Sequence, residues 1–203
     1  MTVPTMNCPR CSARFTYSVQ FCSGCGNNVE LQRALCDFEY GDFEARIAGI
    51  CAIAKFDKDR LQELSPRIDN YLAGIKPDYA LRGAMVLQTN GVDNPRVTTI
   101  LLHNLDNFNE LRDEEQAKLL NAVSTMRNNP EVVSRLKSWA HGSFFRSRML
   151  CTLGAIGEST AKPFLEYWAD RGEAGAIAAL RLFGIASVKE ISDLFEQVQK
   201  TRR

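Results

Sequence analysis

Residues 144–185 read FFRSRMLCTLGAIGESTAKPFLEYWADRGEAGAIAALRLFGI and contain a pattern that occurs twice. A predicted helix with small residues is followed by a polar break, Glu-Ser-Thr, and then by a second predicted helix. After Gly172 the first pattern returns, so that the quartet LGAI at 153–156 is echoed 29 residues later by LFGI at 182–185. Such a period is typical of repeats built from helix pairs. The sequence therefore predicts a mostly α protein whose main part is an α-solenoid.

Helical periodicity extends over the chain from residue 30 onward. Apolar residues three and four positions apart mark one face of each predicted helix, as Val97, Ile100 and Leu101 do. No single helix pair could bury such a face alone, so the predicted pairs stack on their neighbours. After a short leading helix at 30–39, we predict five pairs: 43–55 with 60–72, 78–89 with 95–105, 111–127 with 130–141, 144–157 with 161–171, and 173–183 with 188–200.

Prolines and glycines support this division into pairs. A proline lies at or near the predicted start of each of four second helices, where its missing N–H has no partner to lose. Glycine inside a helix costs about 1 kcal/mol relative to alanine, so Gly154 predicts a close approach between helices. The four prolines are Pro66, Pro95, Pro130 and Pro163.

The phrase LGAIGE at 153–158, followed by KPFL at 162–165, resembles the HEAT-repeat family. The likeness is clearest to the short HEAT-like units of phycobilin-lyase-type proteins, and it extends over residues 43–200. The tetratricopeptide pattern fits less well, because its proline follows the second helix. The HEAT resemblance implies a right-handed superhelix whose second helices line a concave side. It does not imply one function, since such arrays serve many.

Residues 8–26 contain two CxxC pairs, Cys8 with Cys11 and Cys22 with Cys25, separated by ten residues. Each pair can direct two sulfurs at one metal ion, and two pairs supply the four thiolates that zinc favours. The spacing therefore predicts one structural Zn²⁺, with no open position for water or substrate. Iron in its place, a redox CxxC and unrelated core cysteines are the alternatives.

The same stretch resembles the short zinc-ribbon family, in which two CPxCG-like knuckles lie about ten residues apart. Phe21 precedes the third cysteine as in that family, whereas Ser12 stands where the family usually has glycine. The remaining cysteines, Cys36, Cys51 and Cys151, fit no ligand spacing, and the last two are predicted to be buried. We predict a zinc ribbon at 1–28 and a HEAT-like α-solenoid at 29–203.

Composition argues against recruitment by overall charge and against a membrane span. The net charge is +1, from 25 Lys+Arg against 24 Asp+Glu, so no global field attracts nucleic acid or anionic membrane. No apolar run reaches the roughly 18 residues of a membrane span, and the first residues lack the apolar segment of a secretory signal. The expectation is a cytoplasmic protein.

No motif for catalysis stands out. The two histidines, His103 and His141, are each alone on a predicted second helix, and no glycine-rich phosphate loop or nucleophile motif is present. Some HEAT-fold enzymes bind a di-iron centre through His-Glu dipeptides, which this sequence lacks. An enzyme is therefore not expected, and a lyase-like chaperone of cofactor attachment is an alternative suggested by fold analogy alone.

A nucleic-acid-binding protein is the other alternative, because basic residues concentrate between Arg127 and Arg148. That segment also contains Arg135, Lys137 and Arg146. Helical geometry divides these charges between different faces, which favours an ordinary solvated surface.

The prediction is therefore a non-enzymatic scaffold or adaptor that binds a protein partner on the concave, second-helix side. Six residues remain outward-facing there once the apolar face is subtracted: Arg96, Thr99, His103, Arg135, Ser138 and Glu166.

Overall fold

A computed structural model describes residues 5–8, 10–16, 21–26, 29–142 and 144–200 of the protein. This part of the chain is mostly helical, with a two-stranded antiparallel sheet before the first helix. Short 3₁₀ turns at Phe108–Glu110 and Ser159–Ala161 precede two of the helices. The strands are β1 (Thr5–Asn7) and β2 (Arg14–Thr16), and the helices are α1 (Glu30–Tyr40), α2 (Phe43–Phe56), α3 (Lys58–Gly74), α4 (Pro77–Thr89), α5 (Pro95–Asp106), α6 (Asp113–Ser124), α7 (Pro130–His141), α8 (Arg146–Ile156), α9 (Lys162–Asp170), α10 (Ala174–Arg181) and α11 (Val188–Lys200).

Polar caps and prolines define the starts of several helices. The carboxylates of Asp42 and Asp57 accept hydrogen bonds from the first turns of α2 and α3, and the Asn129 side chain does the same for α7. Three of the four predicted prolines occupy first-turn positions in α5, α7 and α9. Pro66 does not, because α3 begins eight residues earlier and contains this proline in its interior. The prediction for Pro66 was wrong.

The chain divides into two compact units, and the first comprises Met1–Lys76 with Asn90–Asn94. Within it α1 packs directly along α2, at a distance that only glycine permits. A methyl group added to Gly49 would lie 2.6 Å from the carbonyl oxygen of Ala34. The leading helix is thus a close packing partner of α2, which the sequence prediction did not include.

The segment Asn90–Asn94 belongs to the first unit because Asn94 attaches it to α3. The Asn94 amide is buried and donates to Ser65 Oγ at 3.0 Å and to Asp69 Oδ1 at 2.9 Å. Buried amides need such partners, since an unpaired one costs about 1–3 kcal/mol.

The second unit comprises Pro77–Thr89 and Pro95–Arg203. Its first helices pack in succession, α4 on α6, α6 on α8 and α8 on α10. Its second helices are also joined, since Trp139 of α7 donates to the Leu105 carbonyl of α5 at 2.7 Å, and Lys137 of α7 donates to the Thr160 carbonyl before α9. Predicted helix boundaries in this unit agree with the structure to within a few residues, and Leu153 is fully buried.

The last pair departs from the predicted arrangement. Helix α11 packs on α10, α8 and α6, which are all first helices. The two echoed quartets also differ in structure, because residues 153–156 lie inside α8 whereas α10 ends at Arg181, before the second quartet. Gly157 ends α8 in a left-handed conformation, whereas Leu182 is the residue that ends α10.

Within the described ranges, no helix is both long enough and apolar enough to cross a membrane.

Candidate metal centre and interaction surface

The small sheet positions the first cysteine pair. Strands β1 and β2 pair antiparallel, with Asn7 opposite Arg14, so Cys8 directly follows β1. The backbone N–H of Cys8 donates to the Ala13 carbonyl at 2.9 Å and closes the turn between the strands. Cys8 and Cys22 then pack with Phe15 and Val29 in a small apolar core. Two of the four buried residues of this core are therefore cysteines of the CxxC pairs.

The four predicted ligands converge on one point. The Sγ atoms of Cys8, Cys11, Cys22 and Cys25 all lie within 4.8 Å of one another. The Cys8–Cys25 and Cys11–Cys22 sulfur distances are 3.6 and 3.5 Å. Tetrahedral zinc with Zn–S bonds of about 2.3 Å would hold its sulfurs about 3.8 Å apart. The cluster therefore has the donor set and the spacing to hold a metal ion.

The two knuckles have the same local structure. The backbone N–H of Arg10 points to Cys8 Sγ, and that of Gly24 points to Cys22 Sγ, both at 3.4 Å. One turn later, Ser12 and Gly26 each donate a 2.8 Å hydrogen bond to the carbonyl of the first cysteine of their knuckle. The N–H groups of Arg10 and Gly24, which point at sulfur, lower the cost of concentrating negative charge on Cys8 and Cys22.

The pKa values of Cys8 and Cys11 shift in opposite directions. Burial opposes ionisation of Cys8, but hydrogen bonds from the Arg10 and Cys11 N–H groups and from neighbouring thiols bring its pKa down to about 7. The Ala13 N–H favours the Cys11 thiolate, yet the adjacent sulfurs raise the Cys11 pKa to about 12. Four thiolates this close require a cation between them, because like charges at this distance repel strongly.

The other cysteines are separate from this cluster. Cys51 and Cys151 are buried in α2 and α8, as predicted, and burial raises the pKa of both thiols, that of Cys151 to about 12. Such thiols are inert hydrophobic side chains. Cys36 is half-buried in α1, and burial raises its pKa as well.

The six residues predicted to contact a partner all lie on the second helices of the second unit. Five are exposed and Arg135 is half-buried. They are distributed as Arg96, Thr99 and His103 on α5, Arg135 and Ser138 on α7, and Glu166 on α9.

Arg135 and Ser138 border an open depression of about 340 Å³, together with Asp106, Trp139 and Gly142. Arg135 donates to Asp106 Oδ1 at 2.8 Å and to Glu131 Oε2 at 3.1 Å, and the two carboxylates neutralise its charge. Sequence reasoning missed Asp106 and Trp139, although Asp106 lies 29 residues before Arg135, the repeat period.

The basic residues between Arg127 and Arg148 do not form one surface. Arg146 pairs with Glu173 at 2.8 Å and stacks over the Trp168 ring, whereas Arg148 of α8 reaches Asp113 and Gln116 of α6. Lys137 donates to a carbonyl and lies over Phe164. Each of these three cations has partners within the protein, and they lie on first and second helices alike.

Comparison with known proteins gives no relative. No family model, no curated protein and no solved structure matches the chain.

Proposed function

We propose that residues 1–28 form a zinc ribbon whose single structural Zn²⁺ is bound by Cys8, Cys11, Cys22 and Cys25. Support comes from the convergence of the four sulfurs within 4.8 Å and from the matching backbone geometry of the two knuckles. Elemental analysis of the purified protein distinguishes zinc from iron at this site. With four protein thiolates the metal stabilises a segment whose core is too small to fold it without metal.

We further infer that residues 29–203 are a HEAT-like array that acts as a non-enzymatic scaffold for a protein partner. The observation that carries this proposal is the depression between α5 and α7, where Trp139 lies beside Arg135 and Arg135 is paired with Asp106 and Glu131. A protein partner suits such a surface, because protein interfaces depend on a few anchors and packing. A phosphate backbone would require several unpaired cations on one wall.

The proposal is tested by affinity capture with the whole chain as bait, with and without nuclease treatment. Ser138→Arg adds bulk to the depression on an exposed helix position, and we expect it to lower recovery of the specific partner at least tenfold. Gln199→Arg, the same change of charge at an exposed position of α11, is the matched control and should leave recovery unchanged. Recovery that disappears with nuclease, or that both variants reduce equally, would contradict a protein partner at this surface.

A further inference from the structure

A second concave feature of the second unit lies between α6, α8 and the start of α11. Its volume is about 480 Å³, within the range of about 300–1,000 Å³ of small-molecule sites. Helix α11 packs on α8 and α6. The cleft lies where these three helices meet.

The wall of this cleft is mostly carbon. Leu120 of α6 is buried at its base, Val188 of α11 is half-buried, and Ala117 contributes its methyl group. The aliphatic stems of lysine and arginine side chains can extend such a surface while their charged ends stay in water.

The charged side chains that line the cleft are all cationic. They are Lys118 of α6, Arg148 of α8 and Lys189 of α11, and none of the described lining residues is acidic. Lys118 pairs with Glu114 and Arg148 with Asp113, but both pairs are largely exposed. Lys118 and Arg148 each have a single carboxylate partner, whereas Arg135 has two. Exposed pairs contribute only about 0–1 kcal/mol, so an incoming anion can compete for Lys118 and Arg148.

We propose that this cleft binds a small apolar monocarboxylate. The carbon body occupies the space above Leu120, and the carboxylate meets the ammonium groups of Lys118 and Lys189. The α6 wall from Ala117 to Asn121 rises only about 6 Å, about one helical turn, which is too short to seat a partner helix. This site is independent of the protein-binding surface on α5, α7 and α9.

The first test is isothermal titration calorimetry of the full zinc-loaded chain with three probes of equal chain length. They are decanoate, decanol and decyltrimethylammonium, each used below its micelle concentration. We expect decanoate to bind at least tenfold more tightly than decyltrimethylammonium, with decanol between them. Equal binding of all three probes would overturn the proposal.

Variants then locate the site. Ala117→Trp fills the cleft from an exposed position and should abolish decanoate binding, whereas Ser134→Trp on α7 is the control for an added surface tryptophan. Lys189→Glu should reduce decanoate affinity at least fivefold and increase that of decyltrimethylammonium. Lys162→Glu, an equal change of charge at an exposed position of α9, should change neither. Undiminished decanoate binding by folded Ala117→Trp, confirmed by unchanged circular dichroism, would place the ligand elsewhere and overturn the assignment.

Discussion

Ser12 and Gly26 occupy equivalent places, each directly after the second cysteine of a knuckle. Both adopt the left-handed conformation, with φ of 58° and 68°. This conformation costs a residue with a Cβ atom roughly 1–2 kcal/mol, and glycine almost nothing. Ser12 is therefore the strained member of the pair.

Ser12→Gly should relieve this strain and strengthen metal binding. We expect a gain of about 1 kcal/mol, or about a fivefold higher zinc affinity. Competition with a chromophoric chelator measures the change. Gly26→Ser is the reciprocal variant, and it should weaken binding by a similar factor, since nothing near Gly26 would obstruct the new side chain. The interpretation fails if Ser12→Gly binds zinc more weakly than the unaltered chain.

Spacing alone was enough to predict the four clustered cysteines, because two CxxC knuckles leave little freedom in where their sulfurs point. The pairing of Arg135 with two carboxylates was harder to predict from the sequence. Its i−4 neighbour Glu131 is visible in the sequence, but Asp106 is brought to it by the packing of α5 against α7. The sequence shows that Arg135 is cationic, but only the packing of the helices shows which carboxylates lie beside it.

At the scale of elements, α8 and α10 approach each other through Gly154. A methyl group added there would lie 2.6 Å from Ala179 Cβ, and no side chain can move aside, because the obstructing atoms include the Ala179 backbone. Gly154→Ala should therefore destabilise the second unit by about 1–3 kcal/mol despite the better helix propensity of alanine. Chemical denaturation measures the loss.

A double-mutant cycle separates this clash from a general effect of the substitution. Ala179→Gly removes the first obstructing atom, so the double variant should lose less than the sum of the two single variants. Gly142→Ala, at the end of α7, is the control and should change the free energy of unfolding by less than about 1 kcal/mol. Simple additivity would show that Gly154 and Ala179 do not meet as described.

Leu153→Ala should be more damaging than Leu194→Ala. Leu153 is fully buried in α8, whereas Leu194 is half-buried in α11. Truncating the buried leucine should cost about 2–5 kcal/mol through lost burial and the cavity left behind. Denaturation midpoints compare the two, and equally mild effects would contradict the packing of α8 at the centre of the second unit.

Periodicity predicted the helices well because an apolar face repeats locally, within a few turns. It did not predict where α11 packs, since a strongly amphipathic helix can cover either layer of its neighbours equally well in sequence terms. The similarity between the two quartets was misleading as well. Similar letters at 153–156 and 182–185 occupy a helix in one case and the turn after a helix in the other.

At the scale of the whole molecule, the cysteine cluster and the helices have separate cores. The residues packed around the sulfurs, Phe15 and Val29, form their own small group. Cys22→Ser should therefore abolish stoichiometric zinc while leaving the helical circular dichroism nearly unchanged. Native mass spectrometry measures the zinc content, and Cys51→Ser, outside the cluster, should retain one zinc per chain. A Cys22→Ser protein with its full zinc content would exclude the proposed ligand set.

The salt dependence of partner binding tests the proposed scaffold function most directly. The charges on α5, α7 and α9 are mixed in sign, and Arg135 is neutralised by Asp106 and Glu131. The affinity for the captured partner should therefore fall less than about tenfold between about 50 and 200 mM salt. A fall of about a thousandfold or more over that range, accompanied by tight binding of generic duplex DNA, would contradict the scaffold and identify a nucleic-acid-binding protein.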